Sequence, residues 1–580
     1  MRARTVTGRY FTSKQKGAGL IASDHLAAKM RLMVRTLALI LVLVSLPATA
    51  KPPRLALLIS VDALGTDLLL RTRPKFKGGF RQLLDGGAFH PYGRYEYAAP
   101  RTAAGHATLV TGANPWRHGI IDNRVVDRTT GQPMPAFRDE THPALEVPLA
   151  QAISGDVSPL NLMVETVGDR LRDTTTGRAK VVALSGKGRA AIPMAGRLGQ
   201  AYWFDETVGK FVTGTWYTKE FPAWLKSFNA RALPASYFSE QWTLLLPRTE
   251  YTGEDERPFE GDDAGLGRTF PHPLNGGLEA PGPRSYSALG GSPFSNDLLV
   301  QAAKAAIAGE GLGRDDVPDL LAVSFSGTDR AFHTYGPHSW EMQDTLYRLD
   351  RALAELITAA ERAAGGRANL VIVLSADHGG ASVPESWASE GVESRRLNMQ
   401  PLMEQLAQEL RARFAQTDLT TAQEELNVYL LGKGLETGKV EGAAVRRAAA
   451  EWLARQPGIA VAVARDDLFT VPDVAGMMAP LQRGYYAGRS GDVLFIPKPF
   501  HVMSTQLIGT NHGVPYSYDQ LVPVLFAGKG VKAGTYMNEM PMTDVAPTLA
   551  ALLELGLPAS AEGKPRPEIF AAGRSGAAAP

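Results

Sequence analysis

The sequence contains no cysteine among its 580 residues. This absence excludes disulfide bonds, a thiolate nucleophile and cysteine-ligated zinc. Histidine is also scarce, with 11 residues, so any metal site must combine a few histidines with carboxylates. An excess of one charge is absent too, because 61 Lys and Arg residues face 59 Asp and Glu residues. A nearly neutral chain gives no electrostatic reason to expect nucleic acid or an anionic membrane as a partner.

The N-terminal region lacks an apolar run of comfortable membrane-spanning length but contains a shorter one. Met30–Arg35 is a basic start, Leu37–Leu46 is almost continuously apolar, and Ala48-Thr49-Ala50 supplies small residues at an A-x-A spacing. This pattern predicts a signal peptide cleaved after Ala50, export to the periplasm or medium, and no membrane span in the mature protein. An uncleaved anchor is the alternative. The polar residues before this segment leave three candidate starts, Met1, Met30 and Met33.

Short apolar runs alternate with helical patterns along the rest of the chain. Apolar residues between Leu160 and Leu171, and between Leu346 and Ile357, recur at helical spacing. Runs that are apolar on both faces predict buried parallel strands. These runs are Leu55 to Val61, Lys180 to Leu184, Leu320 to Phe325, Leu370 to Leu374 and Val522 to Phe526. The alternation predicts an α/β fold with a mostly parallel central sheet flanked by helices.

Two stretches depart from this alternation. Residues 195–295 are rich in aromatic residues, glycine and proline, which is typical of an irregular insertion. Residues 395–490 contain two amphipathic helical patterns, near 400–414 and 441–455, each followed by a strand-like run. We therefore expect residues 51–570 to form one catalytic domain with two inserted cap segments, after an N-terminal extension and signal peptide in residues 1–50.

Metal-competent residues follow three of the predicted strands, at the edge where open α/β sheets bind ligands. Asp62 ends the first strand, Asp329 and His333 follow the third, and Asp377 with His378 follow the fourth; His512 precedes the last strand. A single Asp at such a place is usually a turn or cap residue, and a lone His is usually structural. Three Asp and three His together form the oxygen and imidazole set that zinc accepts, and they suffice for two ions.

Thr102 is the candidate nucleophile. It lies where the extended segment Ala98-Ala99-Pro100-Arg101 enters a helical pattern, so the free N–H groups of a first helical turn surround its hydroxyl. Such a helix terminus favours a bound anion such as phosphate. An ordinary threonine N-cap is the alternative, and the hydroxyl becomes a nucleophile only when a metal or base removes its proton.

The ordered motifs resemble the alkaline phosphatase superfamily, in its type I phosphodiesterase/nucleotide pyrophosphatase branch. Within that branch they are most similar to the periplasmic, phosphate-irrepressible alkaline phosphatases with a threonine nucleophile. The motifs are Asp62, Thr102-Ala103-Ala104-Gly105-His106, His118-Gly119-Ile120-Ile121-Asp122-Asn123, Lys187-Gly188-Arg189, Asp329-x3-His333, Asp377-His378-Gly379 and His512-Gly513-Val514-Pro515.

The resemblance implies a role for each residue. Asp329, His333 and His512 would bind one zinc ion; Asp62, Asp377 and His378 would bind the other, which Thr102 reaches as an alkoxide. Asn123, Lys187 and Arg189 would contact phosphoryl oxygens, and His106 is interpreted as structural. The implied enzyme is a two-zinc alkaline phosphatase that hydrolyses small phosphate monoesters through a covalent phospho-threonine, with a monomer favoured.

Four other functions are alternatives to this interpretation. A phosphodiesterase or nucleotide pyrophosphatase would use the same metals, but a diester carries one charge and makes less use of the cations of Lys187 and Arg189. A sulfatase requires Cys or Ser at the nucleophile position. A phosphoglycerate mutase-like enzyme would be cytoplasmic and use Ser. A binding protein with a dead site would lack a ligand, whereas all six are present.

Overall fold

A ten-stranded sheet forms the centre of the computed structural model, which describes residues 51–147, 155–473 and 476–571. The described residues from Pro52 onward belong to one compact unit. The strands of this sheet, numbered in chain order, are β1 Leu55–Val61, β2 Ala88–Arg94, β3 Val181–Ser185, β4 Gln200–Asp205, β5 Lys210–Val212, β6 Asp319–Phe325, β7 Leu370–Ser375, β8 Leu521–Gly528, β9 Gly534–Thr535 and β10 Met540–Pro541.

The sheet order is β9-β2-β8-β7-β1-β6-β3-β4-β5, with β10 also paired to β2. The five strands from β7 to β4 are mutually parallel. Their interior residues are buried on both faces, as continuous apolar runs predict. The predicted mixed α/β fold with a large, mostly parallel sheet is confirmed, and four of the five predicted strands are parallel members of it.

The fifth predicted strand, Val522 to Phe526, forms part of β8, but its predicted parallel direction is wrong. β8 pairs antiparallel with β7, with Leu374 opposite Leu525. Burial on both faces fixes a central position in a sheet but not a direction. The chain reaches β8 from the loop that carries His512, which lies at the carboxyl edge of β7, so the strand has to run back across the sheet.

Helices flank the sheet. The predicted helix around Leu346 is confirmed as part of Trp340–Ala363, but the one proposed from Leu160 begins only at Val167. There Thr166 and Asp169 form a capping box, which ends the extended chain and leaves Leu160 and Val164 outside the helix. The longer helices are Thr66–Thr72, Gly79–Gly86, Thr102–Thr111, Val167–Thr174, Gly188–Ala195, Ala223–Ala230, Pro283–Gly290, Phe294–Glu310, Gly327–Tyr335, Trp340–Ala363, Met399–Phe414, Gly442–Ala454, Met478–Gly484 and Val545–Leu552.

Three strands of the later predicted insertion, 395–490, and a fourth strand just beyond it, Val493–Pro497, form a second, four-stranded antiparallel sheet. Its order is Thr420–Glu424, Asn427–Leu431, Val493–Pro497, Ile459–Ala464. Helices Met399–Phe414 and Gly442–Ala454 cover it, and the buried side chains of this cap module form their own apolar cluster. The name cap module is used below for residues 395–497.

The earlier predicted insertion, 195–295, contributes β4 and β5 to the central sheet and otherwise consists of short elements. One of its anchors is Asp344, whose carboxylate accepts hydrogen bonds from Trp242 Nε1 at 2.6 Å and from Leu245 N at 2.7 Å. The residues of the predicted signal peptide lie outside the described part of the chain. Among the helices that the structure describes, none is long and apolar enough to cross a membrane.

Candidate metal centre and nucleophile

The parallel register brings the predicted site residues to one edge of the sheet. Ser60 of β1 is aligned with Ser324 of β6 and with Ser375 of β7. The strands therefore end level with one another, and Asp62, Asp377 and the start of helix Gly327–Tyr335 follow directly. β3 ends beside them, because its Ser185 is aligned with Ser324, and the next turn carries Lys187.

One group of candidate metal ligands consists of Asp62, Asp377 and His378. All three residues are fully buried, and one ligand atom from each lies within 4.8 Å of the others. His378 Nε2 lies 3.3 Å from Asp62 Oδ1 and 3.5 Å from Asp377 Oδ2. These are the three residues expected to share one ion.

The second group consists of Asp329, His378 and His512, which also place ligand atoms within 4.8 Å of one another. The expected partner His333 lies beside this group: its Nε2 is 3.3 Å from Asp329 Oδ1, and its side chain is 37% exposed. His378, assigned to the other ion, joins the group because its ring stacks on that of His512 with centroids 3.5 Å apart. The two groups therefore share His378.

All three candidate histidine ligands are oriented by the backbone. The Nδ1 atoms of His378, His333 and His512 hydrogen-bond to the carbonyl oxygens of Gly379, Thr510 and Pro100 at 2.8, 2.9 and 3.1 Å. A carbonyl oxygen can only accept, so each Nδ1 carries a proton, and in the neutral ring Nε2 is the nitrogen with the lone pair. This is the tautomer in which a histidine binds a metal, with its ring held from behind.

Several buried atoms of the site have no hydrogen-bond partner in the part of the chain that the structure describes. They are Asp62 Oδ1, Asp329 Oδ1, Asp377 Oδ2 and His378 Nε2. Unpaired buried polar atoms are costly, and these four point toward one another. Divalent metal ions would satisfy these atoms, so the residues present fit a metal centre.

The electrostatics of the site are dominated by burial and by crowded charges. Burial and the Asp62 carboxylate raise the pKa of Asp377 well above its ordinary value. Burial and Asp329 also oppose ionisation of Asp62, but Lys187 and His378 outweigh them and lower its pKa to about 2. Burial disfavours the His378 cation, whereas Asp377 and Asp62 favour it and raise its pKa to about 9. Three carboxylates this close together favour a bound cation.

Thr102 is the first residue of helix Thr102–Thr111 and is 1% exposed. The segment before it is fixed by His512, whose Nδ1 contacts Pro100, and the helix after it packs against Asp377. A Cβ atom at Gly105 would lie only 2.1 Å from the Asp377 carbonyl oxygen, so this helix can approach the ligand strand only with glycine there. Residues from both metal groups therefore contact the chain on either side of Thr102: His512 contacts Pro100, and Asp377 packs against Gly105.

His106 lies one turn after Thr102, with both ring nitrogens hydrogen-bonded. Its Nδ1 contacts the Thr102 carbonyl oxygen at 2.7 Å, and its Nε2 contacts Ser324 Oγ at 2.8 Å. Asn123 reaches the same helix start, where its Oδ1 accepts a hydrogen bond from Ala103 N at 2.9 Å. The amide nitrogen of Asn123 remains as a donor beside Thr102.

The two candidate phosphate-binding cations lie in different surroundings. Lys187 Nζ is 2.6 Å from Asp62 Oδ2 and also contacts Asp329, so it joins one carboxylate from each metal group. Burial opposes its charge, but these two carboxylates raise the pKa of Lys187 above its ordinary value. Arg189 is the second residue of the next helix, Gly188–Ala195, and its buried Nε has no hydrogen-bond partner among the described residues.

Arg101 was missed by the sequence reasoning. Its buried guanidinium hydrogen-bonds to Asn511 Oδ1 at 3.0 Å and pairs with Glu425 of the cap module. It thereby connects the residue before Thr102 with the residue before His512. A Cβ at Gly513 would lie 2.0 Å from Arg101 Nε, so the glycine after His512 makes room for this side chain. The sequence contains no local signal for the contact between Arg101 and Gly513, because the two residues are far apart in the chain.

Comparisons with known proteins agree with this geometry. The family model of type I phosphodiesterase/nucleotide pyrophosphatase matches residues 56–509. The chain is 34% identical to alkaline phosphatase PafA of Elizabethkingia meningoseptica over 89% of this chain and 94% of the relative. It is 32% identical to alkaline phosphatase PhoV of Synechococcus elongatus, over 89% and 93%. The solved structure of wild-type PafA superposes with a TM-score of 0.83 at 33% identity, covering 90% of this chain and 99% of that one.

Proposed function

Because the chain belongs to the type I phosphodiesterase/nucleotide pyrophosphatase family, we propose that it is a two-zinc alkaline phosphatase with Thr102 as its nucleophile. Its relatives PafA and PhoV are alkaline phosphatases that it matches over nearly their whole length. The chain is accordingly a phosphoric monoester hydrolase. One observation supports zinc and the threonine nucleophile most directly. Thr102 is buried at the start of a helix, and the chain on either side of it contacts residues of the two Asp–His groups.

Asp62, Asp377 and His378 would hold one metal ion, and Asp329 and His512, with His333 beside them, would hold the other. Carboxylate and imidazole ligands without cysteine are compatible with zinc, and the chain has no cysteine to offer. Two bound divalent ions supply positive charge that makes a threonine alkoxide accessible and stabilises the departing oxygen.

The residues of the chain then divide the reaction into two displacements. Thr102 Oγ gives its proton to solvent and forms a bond to phosphorus as the bond to the alcohol oxygen breaks, and the alcohol leaves with a proton from solvent. A water molecule then attacks phosphorus, releases phosphate and returns the hydroxyl to Thr102. The Asn123 amide, Lys187 and Arg189 would hold the non-bridging oxygens in both steps, where the charge of a monoester is greatest.

A diesterase or nucleotide pyrophosphatase is the second candidate, because the matching family model is named for these activities. The two cations near the site favour the monoesterase, since a monoester presents a second negative charge that a diester lacks. The deciding experiment compares kcat/KM for an aryl monoester and the matched aryl diester on protein of measured zinc content. Preference for the monoester and a phosphorylated Thr102 peptide in acid-quenched enzyme support the proposal; preference for the diester would contradict it.

Export is proposed from the N-terminal pattern, with a mature chain that begins at Lys51. N-terminal sequencing of protein from a periplasmic extract tests this directly. A mature chain that retains residues 30–50 would indicate a membrane anchor instead.

A further inference from the structure

A cleft of 740 Å³ lies along helix Met399–Phe414 of the cap module. Its near wall contains Arg124, Glu425 and Asn511. Arg124 follows Asn123, Asn511 precedes His512, and both Glu425 and Asn511 accept hydrogen bonds from Arg101, the residue before Thr102. The cleft therefore begins at residues that adjoin the proposed phosphate-binding residues in the chain or contact Arg101, and it extends along helix Met399–Phe414.

The polar lining of this cleft consists mainly of amides and hydroxyls. Gln400, Gln408 and Gln423 line it together with Thr420, Thr421 and Thr505. Such side chains both donate and accept hydrogen bonds, which matches the hydroxyl groups of a sugar or polyol. The volume lies in the usual range for small-molecule sites, about 300–1,000 Å³.

The charged groups of the cleft are largely paired within the protein. Arg124 Nε lies 2.8 Å from Glu424 Oε1, Arg411 Nε donates to the Leu419 carbonyl oxygen at 2.6 Å, and Glu425 pairs with Arg101. Among the described residues, the two charged side chains of the lining without an ion-pair partner, Arg411 and Glu404, have opposite signs, so the cleft has no net charge that would select a second ionic group of a ligand. None of the described residues that line the cleft is aromatic, so it offers no ring on which a nucleobase could stack.

We propose that this cleft binds the leaving group of the substrate, and that the preferred leaving group is an uncharged sugar or polyol. The proposal rests on the phosphatase function proposed above and adds its substrate class, sugar monophosphates. Gln408 is the most useful probe, because it lines the cleft from an exposed position on helix Met399–Phe414 and its side chain takes part in no hydrogen bond of the described structure.

The test replaces Gln408 by tryptophan to fill the cleft and uses Gln405→Trp as its control. Gln405 is exposed on the same helix but does not line the cleft. Relative to the control, Gln408→Trp should lower kcat/KM for glucose 6-phosphate about tenfold, the size of one or two lost polar contacts. Turnover of phenyl phosphate and inhibition by inorganic phosphate should change less than about twofold.

Three results would overturn the proposal. They are equal losses on glucose 6-phosphate and phenyl phosphate, no loss on either, and a loss confined to adenosine 5′-monophosphate, which would identify a nucleotide cleft. The pair Gln408→Ala and Gln405→Ala repeats the test without added bulk. Failure of the wild-type zinc protein to hydrolyse phenyl phosphate would instead contradict the phosphatase function itself, so the two failures are distinguishable.

Discussion

Lys187 Nζ lies 2.6 Å from Asp62 Oδ2, so a candidate substrate-binding cation directly contacts a candidate metal ligand. The same ammonium contacts Asp329 of the other metal group. Lys187 thus neutralises carboxylates that the metals would also neutralise, and it is close enough to repel a bound divalent ion. Removing Lys187 should therefore change both the reaction rate and the binding of metal.

We therefore predict opposite effects of Lys187→Ala on the metal-free and metal-loaded protein. Without metal, the variant should be less stable than wild type, because two buried carboxylates lose their cation. With metal, it should retain zinc at least as well, because a like charge has been removed. Thermal unfolding with and without a chelator, together with metal analysis, measures both effects. Zinc loss from the variant under conditions in which wild type keeps it would contradict the repulsion argument.

Arg189 gives the cleaner test of substrate charge, because no carboxylate of the described residues contacts it. Arg189→Ala should lower kcat/KM for an aryl monoester by one to two orders of magnitude, about 1.4–3 kcal/mol of transition-state stabilisation. The matched aryl diester has one negative charge fewer and should lose much less. Adding Lys187→Ala should widen this gap. Equal losses on the two substrates at one pH would mean that the cations act through structure, and the diesterase function would regain support.

Substitutions of the nucleophile and of the metal ligands should differ in their effects on reaction rate and on metal content. Thr102→Ala should lose most activity but keep its zinc, since all six other candidate ligands remain. His378→Ala should lose zinc from both positions, because its Nε2 belongs to both groups. His333→Ala should release less metal than His378→Ala, because His333 lies outside both groups. Full activity in Thr102→Ala would refute its role, and equal metal loss from the two histidine variants would refute the continuity of the groups through His378.

The sequence predicted the strands of the sheet well because each is an isolated apolar run. β1 was predicted residue for residue, and β6 and β7 within one residue. The direction of β8 was missed, because direction depends on the connection and not on the apolar pattern. Most of the candidate ligands could be predicted because they follow strands, and His512 because it precedes one, whereas Arg101 and the Lys187 contacts depend on distances between elements. Sharing of His378 between two groups likewise requires the ring stacking with His512, which no local pattern encodes.

A buried carboxylate far from the nucleophile in sequence should make stability depend on pH. Burial and the nearby Glu341 carboxylate raise the pKa of Glu260 from its ordinary 4.5 to about 8. Between these values the folded protein keeps this proton and the unfolded chain releases it, so this contribution to stability is largest below 4.5 and is lost as the pH rises toward 8.

Glu260→Gln should remove this contribution while its side-chain oxygen still accepts the hydrogen bond from Arg257 N. The free energy of unfolding of the variant should therefore rise relative to wild type between pH 6 and pH 9, measured by denaturant titration at constant zinc. Glu409→Gln, on the exposed surface of helix Met399–Phe414, is the control and should show no such trend. A difference between Glu260→Gln and wild type that does not change with pH would contradict a protonated Glu260.

Gly105 should be indispensable because of the Asp377 backbone and not because of its own conformation. It lies inside helix Thr102–Thr111, where alanine is normally favoured by about 1 kcal/mol. A Cβ atom there would meet the Asp377 carbonyl oxygen at 2.1 Å, so the helix and the ligand strand would have to move apart. We expect Gly105→Ala to cost about 1–3 kcal/mol of stability, as overpacking does, and to displace Asp377 from its metal group.

Gly86→Ala is the matched control, since an added Cβ there meets nothing within 4 Å. Zinc content and unfolding free energy should fall in the first variant and stay near wild type in the second. If Gly105→Ala bound zinc and turned over substrate like wild type, the close approach of the Thr102 helix to Asp377 would not be required for the site.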